Sequence, residues 1–201
     1  MAYALTDNQS QTNNNMLKAN LKDKGSYKGA DLDKLNRSLA LLESTINSDK
    51  FKTAVLNFKS FQFVRYKCFF GMKASTIQLK KYTNTEVYDI LMKGHRQDVT
   101  NSYMDLKLTL SEKKERSAVG ETNGYDVTTT YRAAFDRMTE SELAAHITHE
   151  WTHTLGFEHS FSNNCDPTRD CLTVPYAIGN IVEIILTGKC YYGCKYETLN
   201  K

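Results

Sequence analysis

The sequence lacks several features that would assign a chain of 201 residues to a well-known class. No run of eighteen or more apolar residues occurs, so no segment predicts a transmembrane helix. No run of five like charges occurs, and a net charge of +3 is mild, which argues against a dedicated nucleic-acid surface. Only 2 prolines interrupt a chain that is 40% apolar, which is enough for one hydrophobic core.

The N-terminus also lacks the basic region and the apolar region of an intact signal peptide. This fits a cytosolic protein, or a mature chain whose leader has been replaced by a start methionine. Residues 1–29 are rich in Asn, Gln, Ser, Lys and Gly, a composition that predicts a flexible N-terminal segment. Residues 30–201 are then expected to form one domain, and we expect a monomer.

The 5 cysteines bear on the compartment. Cys165 and Cys171 form one closely spaced pair near the C-terminus, and Cys190 and Cys194 form another. Such pairs are typical of short disulfides in an oxidising environment, whereas the alternatives are reduced thiols or a four-cysteine metal site. The spacings C-x5-C and C-x3-C differ from the usual C-x2-C of zinc sites, so we expect disulfides and a secreted or periplasmic protein. Cys68 is the odd one, and we expect a buried free thiol.

Hydrophobic periodicity predicts an α+β fold, in which a mixed sheet is combined with a backing helix, a helix that begins at Thr139 and a C-terminal helix. Apolar residues at spacings of three and four predict helices, and alternating or β-branched segments predict strands. The predicted helices are Asp31 to Ile46, Thr85 to Met92, Thr139 to Leu155 and about Ile178 to Thr187. The predicted strands are Thr53 to Phe58, Phe61 to Phe70, Ser75 to Lys80, Met104 to Leu110, Ser117 to Thr122 and Tyr125 to Tyr131.

The helix from Thr139 carries the residues that indicate chemistry. Its first residues have the S/T-x-x-E form of a capping box. His149 and His153 lie one turn apart on one face, so that both imidazoles can bind one cation. A left-handed turn at Gly156 would bring back His159 as the third ligand. Three protein ligands leave the fourth position of one Zn2+ ion for water, which is typical of a catalytic site.

Glu150 follows the first histidine ligand and is the candidate general base. A zinc-bound water has a pKa of roughly 7, so one nearby carboxylate suffices to take its proton. The same carboxyl group would then pass that proton to the leaving amine of a peptide. Glu150 would therefore act as general base and general acid in peptide hydrolysis.

The string HEWTHTLGFEH, from His149 to His159, fills every fixed position of the pattern H-E-x-x-H-x-x-G-x-x-H and resembles the zinc motif of metzincin metallopeptidases. Together with the segment VPYAIG that begins at Val174, it is similar to a group of small bacterial metzincin-like proteins. The resemblance implies an upper part to about residue 156 and a lower subdomain at 157–201. It also implies a twisted sheet whose edge strand binds extended peptide antiparallel, and by order that strand is Ser117 to Thr122.

The sequence departs from metzincins at the methionine turn, because its last methionine is Met138, before the motif. Val174 stands where the methionine would be, as an apolar floor below the metal. In the astacin-like and serralysin-like branches a tyrosine two residues later approaches the zinc, and Tyr176 occupies that position. The resemblance implies that Tyr176 is a resting ligand or a hydrogen-bond donor to the oxyanion, and the alternative is a packed aromatic.

Other residues near the motif have simpler interpretations. His146 is a candidate to support the site, but a structural or surface histidine is the favoured interpretation. Trp151 is expected in the core rather than at a substrate. Calcium binding is disfavoured because the spacing matches no EF-hand loop for the four polar residues Asn163, Asn164, Asp166 and Asp170.

The sequence therefore predicts a single-domain zinc endopeptidase that acts on peptides or proteins. Its predicted metal ligands are His149, His153 and His159, and its predicted catalytic residues are Glu150 and Tyr176. Two alternatives remain at this point: a catalytically silent, zinc-stabilised binding module, and a zinc hydrolase of a non-peptide amide.

Overall fold

The structure, a computed structural model, describes residues 16–59, 61, 82–94, 103–113, 119–123, 127–161, 167–168 and 171–189. Within these residues the protein is α+β, with a four-stranded mixed sheet and six helices. The helices are α1 (Gly29–Ile46), α2 (Asp49–Leu56), α3 (Asn84–Lys93), α4 (Arg132–Phe135), α5 (Glu140–Thr154) and α6 (Val174–Thr187). The strands are β1 (Lys18–Asp23), β2 (Tyr103–Ser111), β3 (Gly120–Asn123) and β4 (Val127–Tyr131), with a small ribbon of β5 (Ser160–Phe161) and β6 (Pro167–Thr168).

The main sheet has the strand order β1-β2-β4-β3. β1 is parallel to β2 and β2 is parallel to β4, whereas β3 pairs antiparallel with β4. Along β2 the buried side chains Met104, Leu106, Leu108 and Leu110 alternate with more exposed ones, as their period of two predicts. The predicted edge strand Ser117 to Thr122 corresponds to β3, which ends the strand order of the described sheet on one side.

The sequence interpretation of the N-terminal region needs two corrections. Thr53 to Phe58 is not a strand, because α2 covers most of it and Ser48 caps this helix by accepting a hydrogen bond from the amide of Phe51. The predicted flexible segment 1–29 includes β1, which is held in the sheet by parallel pairing with β2. Local composition missed this strand because its stabilising partner lies far along the chain.

The helix α5 passes through the interior of the described domain. Its N-terminus has the predicted capping box, in which the Thr139 hydroxyl accepts from the amide of Glu142 and the Glu142 carboxylate accepts from the amide of Thr139. Every residue of α5 from Leu143 to Thr152 is buried, because the helix contacts α1, α6 and the β3–β4 side of the sheet. Trp151 is fully buried, which confirms its core position.

The remaining predictions agree with the structure in kind and differ at the boundaries. α1, α3, β2 and β4 are found where they were expected. α6 begins at Val174, four residues before the predicted Ile178, because Pro175 is tolerated in the first turn of a helix. Residues 62–81 lie outside the described part of the chain, and most of the two strands predicted at Phe61 to Phe70 and Ser75 to Lys80 falls there. Among the described residues, no helix is long and apolar enough to cross a membrane.

Candidate metal centre

Three histidine side chains meet at the C-terminal end of α5. His149 is on the helix, His153 is in its last turn, and His159 follows the turn that ends it. One ring nitrogen from each residue lies within 4.8 Å of the others, so the group could hold a metal ion. The predicted ligand residues are thus brought together.

The turn that returns His159 depends on a glycine. Gly156 has a φ of 90°, in the left-handed region that residues with a Cβ atom rarely adopt. The amide of Phe157 donates to the carbonyl of Thr152, which closes the turn, and the Phe157 carbonyl lies 2.7 Å from Nδ1 of His153. With a proton on Nδ1, His153 donates to this carbonyl and keeps the lone pair of Nε2 for a metal.

One pair of ring nitrogens has the spacing that a tetrahedral ion requires. Two nitrogens at about 2.05 Å from zinc and at the tetrahedral angle are about 3.3 Å apart. Nε2 of His153 and Nε2 of His159 are 3.2 Å apart. Burial, together with the neighbouring His153, lowers the pKa of His159 to about 3, so this imidazole is neutral at pH 7. A neutral imidazole with a free lone pair is the form that binds a metal.

The carboxylate of Glu150 lies beside this group without being part of it. Its Oε1 is 4.0 Å from Nε2 of His149, and its Oε2 accepts a hydrogen bond of 2.7 Å from the hydroxyl of Thr122. Burial raises the pKa of Glu150 to about 7, while the hydrogen bond from Thr122 opposes this shift and the charge of Glu121 adds to it. Glu150 is therefore a buried carboxyl group that can exchange a proton near neutral pH.

His146 is one turn before Glu150 and is buried. Its Nδ1 is 3.8 Å from Oε1 of Glu150, which is too long for a hydrogen bond, and neither ring nitrogen has a hydrogen-bond partner among the described residues. Burial lowers the pKa of His146 to about 4. The favoured interpretation as a structural histidine agrees with this position, in the interior rather than at the surface.

Tyr176 lies in the first turn of α6, against the histidine group. Its ring centroid is 4.6 Å from that of His149 and 4.5 Å from that of His159. Val174, the residue in the place of the methionine, is fully buried in the hydrophobic core. The structure therefore brings Tyr176 to the candidate metal centre, whereas its role as a ligand or donor stays a prediction.

Sequence reasoning missed two residues of β3 at this site, Thr122 and Gly120. Thr122 binds Glu150, and a Cβ at Gly120 would lie 2.7 Å from Nε2 of His146. Both residues were within the predicted edge strand. The only sequence feature that marks them is a glycine followed two positions later by a threonine, which places both on one face of the strand. The four polar residues for which calcium binding was disfavoured, Asn163, Asn164, Asp166 and Asp170, lie outside the described residues. Four of the cysteines, Cys68, Cys165, Cys190 and Cys194, also lie outside them.

The fold and the site together define an α+β protein with a three-histidine group that could hold a metal ion, next to a buried carboxylate. No family model, curated protein or solved structure matches this chain.

Proposed function

We propose that the protein is a zinc-dependent endopeptidase of the metzincin type. The observation that carries the proposal is the arrangement of three convergent imidazoles and one carboxylate, with Oε1 of Glu150 at 4.0 Å from Nε2 of His149. At this distance Glu150 can hydrogen-bond to a water molecule shared with the metal centre. Zinc is the expected metal because three imidazole ligands with one open tetrahedral position are a typical catalytic zinc site.

The chemistry that a bound zinc ion would supply is polarisation of the scissile carbonyl and of a water molecule. Glu150, whose Oε1 lies 4.0 Å from Nε2 of His149, would accept the proton of that water and then donate it to the leaving amine. The proposed role of Tyr176 is to donate a hydrogen bond from its hydroxyl to the oxyanion, and the support is that its ring lies against those of His149 and His159.

The substrate is proposed to be an extended peptide that pairs with β3. This strand ends the described sheet, lies directly above α5 and contains Thr122, which touches the proposed general base. An extended peptide can add to such an edge through main-chain hydrogen bonds, with little dependence on side-chain identity.

We further propose that the protein functions as a secreted or periplasmic monomer with disulfide bonds. The support is the sequence pattern of two closely spaced cysteine pairs, Cys165 with Cys171 and Cys190 with Cys194, which is typical of short disulfides. Disulfides persist in oxidising compartments and are rare in the cytosol.

The test is the variant Glu150→Gln, which keeps the size of the side chain and removes the base. Glu140→Gln is the matched control, since Glu140 is on the same helix and forms an exposed ion pair with Arg37. We expect the wild type and the control to cleave members of a broad peptide library, and E150Q to lose cleavage while its zinc content stays at one ion per chain. A zinc-loaded wild type that cleaves no peptide would contradict the proposal and favour a binding module.

A further inference from the structure

Two residue pairs of the contact between the edge strand β3 and the helix α5 concern the candidate site. Gly120 and Thr122 are two positions apart and so point to the same face of the strand. His146 and Glu150 are four positions apart and so lie on the same face of the helix. Gly120 lies against His146, and Thr122 lies against Glu150.

The first pair sets how closely the strand approaches the helix. A Cβ at position 120 would lie 2.2 Å from the carbonyl oxygen of Thr129 and 2.7 Å from Nε2 of His146. Neither contact leaves room for a methyl group, so glycine is required for this approach. Because the strand lies so close, the short side chain of Thr122 reaches the carboxylate of Glu150.

The second pair fixes one oxygen of that carboxylate. The Thr122 hydroxyl lies 2.7 Å from Oε2 of Glu150, and it is 3.3 Å from both the Glu150 carbonyl oxygen and Oγ1 of Thr128. A hydroxyl has one proton, and the contact with Oε2 of Glu150 is the shortest of the three, so it is the hydrogen bond that Thr122 donates. Thr128, which is buried, can in turn donate its own proton to Oγ1 of Thr122.

The other oxygen, Oε1, is the one that can act as the proposed base. It faces Nε2 of His149 at 4.0 Å, whereas the ring of His146 closes its other side without a hydrogen bond. A carboxylate with neither oxygen fixed rotates freely about its last torsion. Anchoring Oε2 keeps Oε1 directed towards the three histidines.

We infer that Thr122 is a positioning residue, whose hydroxyl anchors Oε2 of Glu150 so that Oε1 faces the metal centre. The inference rests on the proposed function, since it gives Glu150 the role of base. It also means that β3, the strand proposed to bind the peptide, holds the proposed base Glu150 through the side chain of Thr122. A displacement of β3 would therefore change the orientation of Glu150.

The activity test compares Thr122→Val, which removes the hydroxyl and keeps the shape, with Thr122→Ser, which keeps the hydroxyl. We expect T122V to lower kcat by about tenfold to a hundredfold, with KM and zinc content close to those of the wild type. T122S should restore most of kcat. Thr129→Val is the matched control, because Thr129 is on the neighbouring strand and pairs with Glu121 on the opposite face. A T122V enzyme as active as T129V would overturn the inference.

A second test needs no activity. Urea unfolding of the metal-free protein is measured for the wild type, T122V, Glu150→Met and the double variant, which together form a double-mutant cycle. We expect T122V to lower the urea midpoint by about 0.5 to 1 M in the wild type and by much less in the E150M background, where no carboxylate remains.

Equal losses of stability in both backgrounds would refute the anchoring contact. If the wild type cleaves no peptide but the cycle shows coupling, the peptidase proposal fails while the anchoring of Glu150 by Thr122 stands. The two proposals can therefore fail separately.

Discussion

The variant Gly120→Ala tests the packing of β3 against α5, on which the arrangement of the site depends. An added Cβ would lie 2.2 Å from the carbonyl oxygen of Thr129, and that backbone atom cannot rotate away. Carbon and carbonyl oxygen need about 3.3 Å, so the strand must move by about 1 Å. Overpacking of this kind costs about 1 to 3 kcal/mol. The same shift stretches the hydrogen bond from Thr122 to Glu150, and leaving these buried groups without that bond costs about 1 to 3 kcal/mol more.

We therefore expect G120A to lose about 3 kcal/mol of the free energy of unfolding. The assay is urea unfolding followed by the fluorescence of Trp151, which is the single tryptophan and is fully buried. The midpoint should fall by about 1 M or more. Glu121→Ala is the control, because Glu121 is the next residue of the strand and is exposed, so that its loss should cost less than about 0.5 kcal/mol. Equal midpoints for the two variants would show that β3 does not approach α5 as described.

Four further predictions follow from the same contacts. Thr139→Ala removes the cap of α5 and should lower the free energy of unfolding by about 1 kcal/mol in urea, and an unchanged midpoint would count against the capping box. His146→Gln removes a buried imidazole whose pKa is about 4 in the folded protein and 6.5 in the unfolded chain. Because the unfolded chain binds more protons, the wild type should lose up to about 3 kcal/mol of its free energy of unfolding as the pH falls from 6.5 towards 4. The variant should lose less over the same range, as measured by unfolding curves at several pH values. Removal of zinc by a chelator should lower the melting temperature by about 5 to 11 °C relative to protein with zinc at a hundred times its dissociation constant, and addition of zinc should reverse the change. Tyr176→Phe should retain one zinc ion per chain but lose at least tenfold in kcat if the hydroxyl stabilises the oxyanion, whereas a merely packed ring predicts unchanged kinetics.

The helix α5 could be predicted from the sequence because every signal for it is local. Thr139 and Glu142 form its cap, His149 and His153 are one turn apart, and Gly156 ends it with a positive φ. Each of these features depends on residues within four or five positions, which a sequence pattern can represent. His159, which is six positions after His153, was expected to join the other two imidazoles because of the turn at Gly156.

The contacts that hold the carboxylate of Glu150 could not be predicted in this way. Thr122 and Glu150 are 28 positions apart, and their hydrogen bond exists only because β3 is laid over α5. The strand β1 was missed for the same reason, since its polar sequence becomes a strand through its pairing with β2. α2 was mistaken for a strand because Thr53 and Val55 are β-branched, although Phe51 and Val55 are buried on one helical face.

The parallel pairing of β1 with β2 has a consequence for the order of folding. Asn20 and Asp105, which are hydrogen-bonded across these strands, are 85 positions apart. Pairs that are distant in sequence close large loops and raise the contact order, which slows folding. On a ribosome β1 would emerge long before its partner strand, while α1 could form at once. We therefore expect refolding in milliseconds to seconds, with the helices acquiring protection from hydrogen exchange before β1.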